Sequence, residues 1–196
     1  DVVFNQKMGA DETEDVIACE VYMNDRNVIS GEPYNILAWT KFNFNNRSNK
    51  YSDFKWNWTH FHGVDWDDRG KKSAIFKFYG KNWDNDVDKE NGNFDYLMGA
   101  DVDLNNVDVV EELNNWGKWY LKFCDLDGFR LDAIKHMRES FFKNWVDNMQ
   151  NSSDKDLFFV GEYWNNNIDT NIFFIIVYFF IPLQNTYQDL QDRRLH

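Results

Sequence analysis

Apolar residues fall at helical spacing twice in the later half of the chain. Val109, Val110, Leu113, Trp116, Tyr120 and Phe123 form one such stripe. Asn105 or Asn106 stands where an N-cap is needed. Met137, Phe141, Phe142, Trp145, Val146 and Met149 mark a second helix. Two short apolar runs end in carboxylates: Gly128-Phe129-Arg130-Leu131-Asp132, and Leu157 to Glu162. Read as strands, they complete an α-β-α-β order, which predicts parallel strands covered by helices. Residues 1–5 predict a short buried strand.

Residues 7–104 read differently. Asn, Asp, Lys, Trp and Phe crowd them, and only short runs alternate, such as Asp53-Phe54-Lys55-Trp56 and Ile75-Phe76-Lys77-Phe78. Ile29 to Pro33 and Asn91-Gly92-Asn93 are turn signals. The expectation is a loop-rich, irregular β region. The longest apolar run, 172–181, falls well short of the ~20 residues that cross a bilayer, and predicts a buried strand or helix. The opening residues Asp1 to Asn5 lack the basic and apolar parts of a secretion signal.

Composition sharpens this picture in three places. Hydrophobic residues are 43% of 196, a globular share. A net charge of −12 argues against binding nucleic acid or an anionic membrane through phosphate neutralisation, and permits cation binding. Aromatic residues reach 18%, enough both for a core and for flat platforms under sugar rings. Cys19 and Cys124 make neither a disulfide framework nor a zinc pattern.

The strand-end carboxylates carry the sharpest chemistry. In a right-handed β-α-β unit the two strands are often neighbours, so Asp132 and Glu162 would emerge side by side at the C-terminal edge. A retaining glycosidase uses two carboxyls about 5–5.5 Å apart, one attacking the anomeric carbon and one protonating the leaving oxygen. Arg130 lies two residues before Asp132, on the same face, where it would keep that carboxylate ionised. The same residues also fit helix caps and an ordinary ion pair. Lys135 and His136 follow at the turn, placed for sugar hydroxyls or for structural roles. Asp84, Asp95, Asp101 and Asp103, with Asn5, offer the oxygens a calcium ion takes, six to eight in number, or a solvated acidic face.

Gly128 to His136 resembles the nucleophile region of the α-amylase family of glycoside hydrolases. Asp1 to Asn5 resembles its first motif, and Gly161-Glu162-Tyr163-Trp164 its acid/base region. Tyr51 to Trp56, Glu90 to Met98 and Ala100 to Asp103 are similar to the bacterial liquefying α-amylases. The resemblance covers about residues 1–165. It implies an α/β fold, a partial (β/α)8 TIM barrel of about strands 3 to 5 or 6. A β-rich, calcium-binding domain B would be inserted after strand 3. Residues 1–6 would be barrel strand 3, residues 7–104 domain B, and residues 105–196 the barrel's continuation. A complete barrel takes about 250 residues, so strands before and after are expected to be missing, with the family's third acidic residue.

The resemblance also assigns roles. Asp132 would be the nucleophile, Glu162 the acid/base and Arg130 the nucleophile's partner. Gln6, Lys135, His136, Tyr163 and Trp164 would line sugar subsites. Asn5, Asp95, Asp101 and the His136 carbonyl would hold calcium, with Asp84 and Asp103 in a neighbouring metal site. Two positions depart from the family's pattern. Gln6 replaces a histidine that bonds the sugar, and His62 replaces a metal-binding aspartate. The implied activity is endo-acting, retaining hydrolysis of α-1,4-glucosidic bonds in starch-like glucans, by a monomeric parent; its localisation stays open, with secretion favoured over the cytoplasm because liquefying amylases are often secreted while related forms stay inside the cell. The alternative is a truncated, inactive remnant that binds at most calcium or glucan.

Overall fold

A computed structural model describes residues 1–48 and 50–164 of the chain. The apolar run at 172–181 and the rest of the predicted continuation to 196 lie outside the described residues.

Residues 7–104 form a more regular sheet than predicted. Its strands are β1 (Gln6–Lys7), β2 (Glu12–Tyr22), β3 (Asp25–Ile29), β4 (Tyr34–Lys41), β5 (Phe61–Asp67), β6 (Lys72–Phe78) and β7 (Ala100–Val102). They lie in the order β1-β7-β5-β6-β2-β3, with β4 also paired to β2. Each pairing is antiparallel. In β4 the alternate residues Ile36, Ala38 and Thr40 are buried, the period of two that a half-covered strand demands. In β5, inside the sheet, Phe61, His62, Gly63 and Val64 are buried in succession. The alternating run Asp53 to Trp56 is not a strand; Trp56 makes a single bridge with Phe42. Ile75 to Phe78 does lie in a strand, β6.

The later half follows the predicted order. Helix α1 (Val107–Cys124) is capped by Asn106, whose side chain accepts from the Asp108 and Val109 amides. Strand β8 (Gly128–Leu131), helix α2 (Glu139–Gln150) and strand β9 (Phe158–Gly161) follow. Strands β8 and β9 pair in parallel, Gly128 opposite Phe158 and Leu131 opposite Gly161. The buried face of α1 is Val109, Leu113, Gly117 and Leu121. This face is rotated from the predicted stripe, so Phe123 is exposed. Residues 1–5 contribute one parallel bridge rather than a full strand. Val2 donates to the Arg130 carbonyl at 2.9 Å and accepts from the Asp132 amide at 2.9 Å. Strand β8 thus runs between Val2 and β9.

One apolar cluster passes through both sheets and under both helices. Trp145 is fully buried in it, edge-on to Phe4 at 5.0 Å and to Phe129 at 5.1 Å. Its indole N–H donates to the Leu113 carbonyl at 3.2 Å, so no polar atom is stranded. The helices approach through Gly117. A Cβ there would lie 2.6 Å from Trp145 Cζ2 and 2.8 Å from Met149 Sδ. Alanine would gain about 1 kcal/mol of helix propensity, but overpacking costs about 1–3 kcal/mol. The Trp145 ring, enclosed on every side, cannot swing away. Gly117→Ala is therefore expected to lower the urea midpoint, and an unchanged or higher midpoint would show that α1 and α2 part freely.

Candidate functional site

Parallel pairing of β8 and β9 ends at Leu131 and Gly161, so the next residues, Asp132 and Glu162, leave the sheet together. The Glu162 amide donates to the Leu131 carbonyl at 2.8 Å, and the Ile134 amide to the Glu162 carbonyl at 3.1 Å, which fixes the relative height of the two residues. Ala133, in the left-handed region at φ 54°, turns the chain just past Asp132. Arg130 stands one pleat below, on the same face. Its Nη1 donates to Asp132 Oδ1 at 2.6 Å and to Asp1 Oδ1 at 2.6 Å. Its Nη2 lies 2.7 Å from Glu162 Oε2. One guanidinium therefore spans both carboxylates. The Trp164 indole donates to Glu162 Oε1 at 2.7 Å.

The two carboxyls hydrogen-bond each other and titrate as a pair. Burial and the bond to Glu162 push the Asp132 carboxyl up, against the pull of Arg130. The Trp164 indole holds the Glu162 carboxyl down, with the Asp132 hydrogen bond and the Arg130 charge adding to it. The Arg130 guanidinium expected beside Asp132 is there, shared with Glu162 and Asp1.

Asp132, Lys135, His136, Glu162 and Trp164 line one cleft of about 380 Å³. Glu90, Phe94, Leu97 and Ala133 complete its wall. The first three come from a segment that the sequence marked only as similar in pattern, without a role for any side chain. Lys135 is buried and paired with Glu90, its ammonium 5.0 Å from the centre of the Phe94 ring. His136 Nδ1 lies 2.7 Å from the Phe94 carbonyl. Tyr163 instead lines an adjoining cleft of about 290 Å³, with its hydroxyl on Asp88. Gln6 lies in β1 opposite Asp101 rather than in the wall of the carboxylate cleft.

A second constellation lies where β1, β5 and β7 meet. Register places Asp101 opposite both Gln6 and Gly63. The Asn5 carbonyl accepts from the Val102 amide at 2.9 Å. Asn5, His62, Asp84, Asp95, Asp101 and Asp103 are all buried. His62 sits among the aspartates, Nδ1 at 3.0 Å from Asp95 and 3.1 Å from Asp101, Nε2 at 3.1 Å from Asp103. Burial alone would lower the pKa of this imidazole, but its hydrogen bonds to Asp101, Asp103 and Asp95 carry it well above the ordinary value. Burial pushes Asp101 well up, with Asp95 adding to the rise, and lifts Asp84 to about 7. Asp103 goes the other way. Burial opposes its ionisation, yet His62 and Lys81 hold the carboxyl down.

Both side-chain atoms of the Asn5 amide are buried without a hydrogen-bond partner among the described residues, as is Asp84 Oδ2. The orphaned Asn5 oxygen beside buried carboxylates fits a hard cation, which supplies the missing partner. His62, Asp95 and Asp101 bring their ligand atoms within 4.8 Å of one another. The sequence had picked out every aspartate and Asn5. It marked His62 as a departure without assigning it a partner.

No family model matches the chain. It is 54% identical over 171 residues to an α-amylase of Geobacillus stearothermophilus, covering 86% of this chain and 31% of that protein. It is 51% identical over 172 residues to a glucan 1,4-alpha-maltohexaosidase of Bacillus sp. (strain 707), covering 86% of this chain and 33% of that protein. It is 41% identical over 173 residues to a cytoplasmic α-amylase of Escherichia coli (strain K12), covering 86% and 35% respectively. The chain thus spans about a third of the length of the curated relatives it matches.

Proposed function

We propose, for a chain whose similarity makes it a partial member of the α-amylase family, that the whole protein cuts internal α-1,4-glucosidic bonds of starch-like glucans with retention. The observation that carries this reading is the Arg130 guanidinium spanning Asp132 and Glu162 at the ends of two parallel strands. In the proposed fold, Val2, β8 and β9 are an arc of a (β/α)8 barrel, and the antiparallel sheet is its inserted domain B. Active sites of such barrels lie at this C-terminal edge.

The proposed mechanism is a double displacement. A sugar entering the cleft parts the two carboxyls, which a retaining enzyme holds about 5–5.5 Å apart. Glu162 enters the reaction protonated, and Asp132 ionised against Arg130. The Asp132 carboxylate attacks the anomeric carbon while Glu162 protonates the departing glycosidic oxygen. Glu162 then takes a proton from water, which attacks the same carbon and frees Asp132. Two inversions leave the α configuration intact. Lys135, His136 and Trp164, on the cleft wall, would bind sugar hydroxyls and ring faces. Tyr163 would act from the adjoining cleft, and Gln6 would bind sugar in the whole protein.

Asn5, Asp95, Asp101 and the His136 carbonyl would hold a calcium ion, whose charge compensates the buried carboxylates. The His136–Phe94 bond already brings the turn after β8 against the loop that carries Asp95. The full chain on soluble starch should release short maltooligosaccharides with rapid loss of iodine colour. Their newly formed reducing ends should be α by proton NMR. Initial β product would refute retention. Binding of maltooligosaccharide by calorimetry without any release of reducing sugar would favour the inactive remnant.

A further inference from the structure

We infer that His62 and Lys81 take the place of a second metal ion, so that Asp84 and Asp103 bind none. The inference rests on the calcium reading above and concerns the neighbouring metal site that the resemblance implies. Both carboxylate oxygens of Asp103 already meet protein donors. Its Oδ2 takes the Lys81 ammonium at 2.6 Å. Its Oδ1 takes His62 Nε2 at 3.1 Å and the Asn105 backbone amide at 3.0 Å. Asp84 Oδ1 takes the Asn105 side-chain amide. That leaves Asp84 Oδ2, a single oxygen, where a hard cation gathers six to eight.

His62 fills the space between the carboxylates with a ring that bonds on both sides. Its Nδ1 faces Asp95 and Asp101, and its Nε2 faces Asp103. It is 1% exposed, with the Trp83 ring edge-on at 6.2 Å, and solvent does not share the role. The ring and the Lys81 ammonium together occupy the side of the cluster that Asp103 faces. Asn5, with its open amide, marks the side of the cluster that still wants an ion.

Ions per chain should be counted on the full-length protein, stripped of metal and reloaded with calcium, by atomic emission after gel filtration. Asp103→Asn is expected to bind as many ions as the wild type, and His62→Asp one more, since the substitution clears the ring from between the aspartates and adds a carboxylate. Asp101→Asn is expected to bind one fewer. A lost ion in Asp103→Asn overturns the inference, as does an unchanged count in a folded His62→Asp. Should circular dichroism show His62→Asp unfolded, the Asp103→Asn count decides alone. An unchanged count in Asp101→Asn would instead overturn the calcium reading on which the inference stands.

Discussion

Asp132→Asn in the full chain is expected to lose starch hydrolysis by about four orders of magnitude or more, the scale of removing a nucleophile. The amide cannot attack the anomeric carbon. It keeps the size of the carboxyl, and its oxygen can still accept from Arg130 Nη1, which now bonds Asp132 Oδ1 at 2.6 Å. Its –NH2 can donate to the Glu162 carboxylate. The thermal midpoint should therefore move by a degree or two at most. Glu162→Gln should also fail on starch, but for a different reason. It lacks the proton for the leaving oxygen, so an α-maltooligosaccharide with a dinitrophenolate leaving group, which needs no protonation, should recover part of the rate for Glu162→Gln. The same substrate should recover nothing for Asp132→Asn. Initial rates on both substrates, with melting curves, make the comparison. Asp132→Asn turning over starch within tenfold of wild type would remove the nucleophile assignment.

That pair of residues was legible because the local rules there all agree. A short apolar run, a carboxylate at its end, a helix at regular spacing and a second such run allow one simple arrangement, and β8, α2 and β9 adopt it. The cap of α1 was legible for the same reason, since Asn106 precedes an apolar stripe and meets its amides. The antiparallel sheet was not legible, because polar residues interrupt its inward face. Thr40 is fully buried and donates to Glu14 at 2.8 Å, and Glu14 also accepts from the Trp58 amide at 2.8 Å. Asp67 is buried where it accepts from the Leu37, Arg69 and Gly70 amides. Each such residue breaks the hydrophobic alternation while satisfying a backbone group from elsewhere. His62 was opaque in the same way. Its partners Asp95, Asp101 and Asp103 lie more than thirty residues further along the chain, and the pairing of β5 with β7 brings Asp101 beside it.

Removal of calcium from the full-length protein by a chelator is expected to lower its thermal midpoint by a few degrees, and Asp101→Asn should abolish that difference. An ion that binds only the folded state stabilises by about 2.7 kcal/mol at a hundred times its Kd. A kcal/mol moves the midpoint by about 2–4 °C for 150–250 residues, and by less for a protein about three times as long as this chain. The effect should be graded rather than all-or-none, because the cluster keeps its own cations. Without the ion, His62 still faces Asp95, Asp101 and Asp103, and Lys81 still faces Asp103. Asp101 is the residue to change because it is 1% exposed, contacts His62 and sits opposite Gln6, next to the orphaned Asn5 amide. Asparagine there keeps an oxygen but loses the charge that favours the ion. The variant should start with a lower midpoint and then ignore both calcium and chelator. Differential scanning calorimetry in excess calcium and in excess chelator gives all four values. Equal midpoints for wild type in the two buffers would remove the calcium site. An undiminished calcium shift in Asp101→Asn would place the ion away from this cluster.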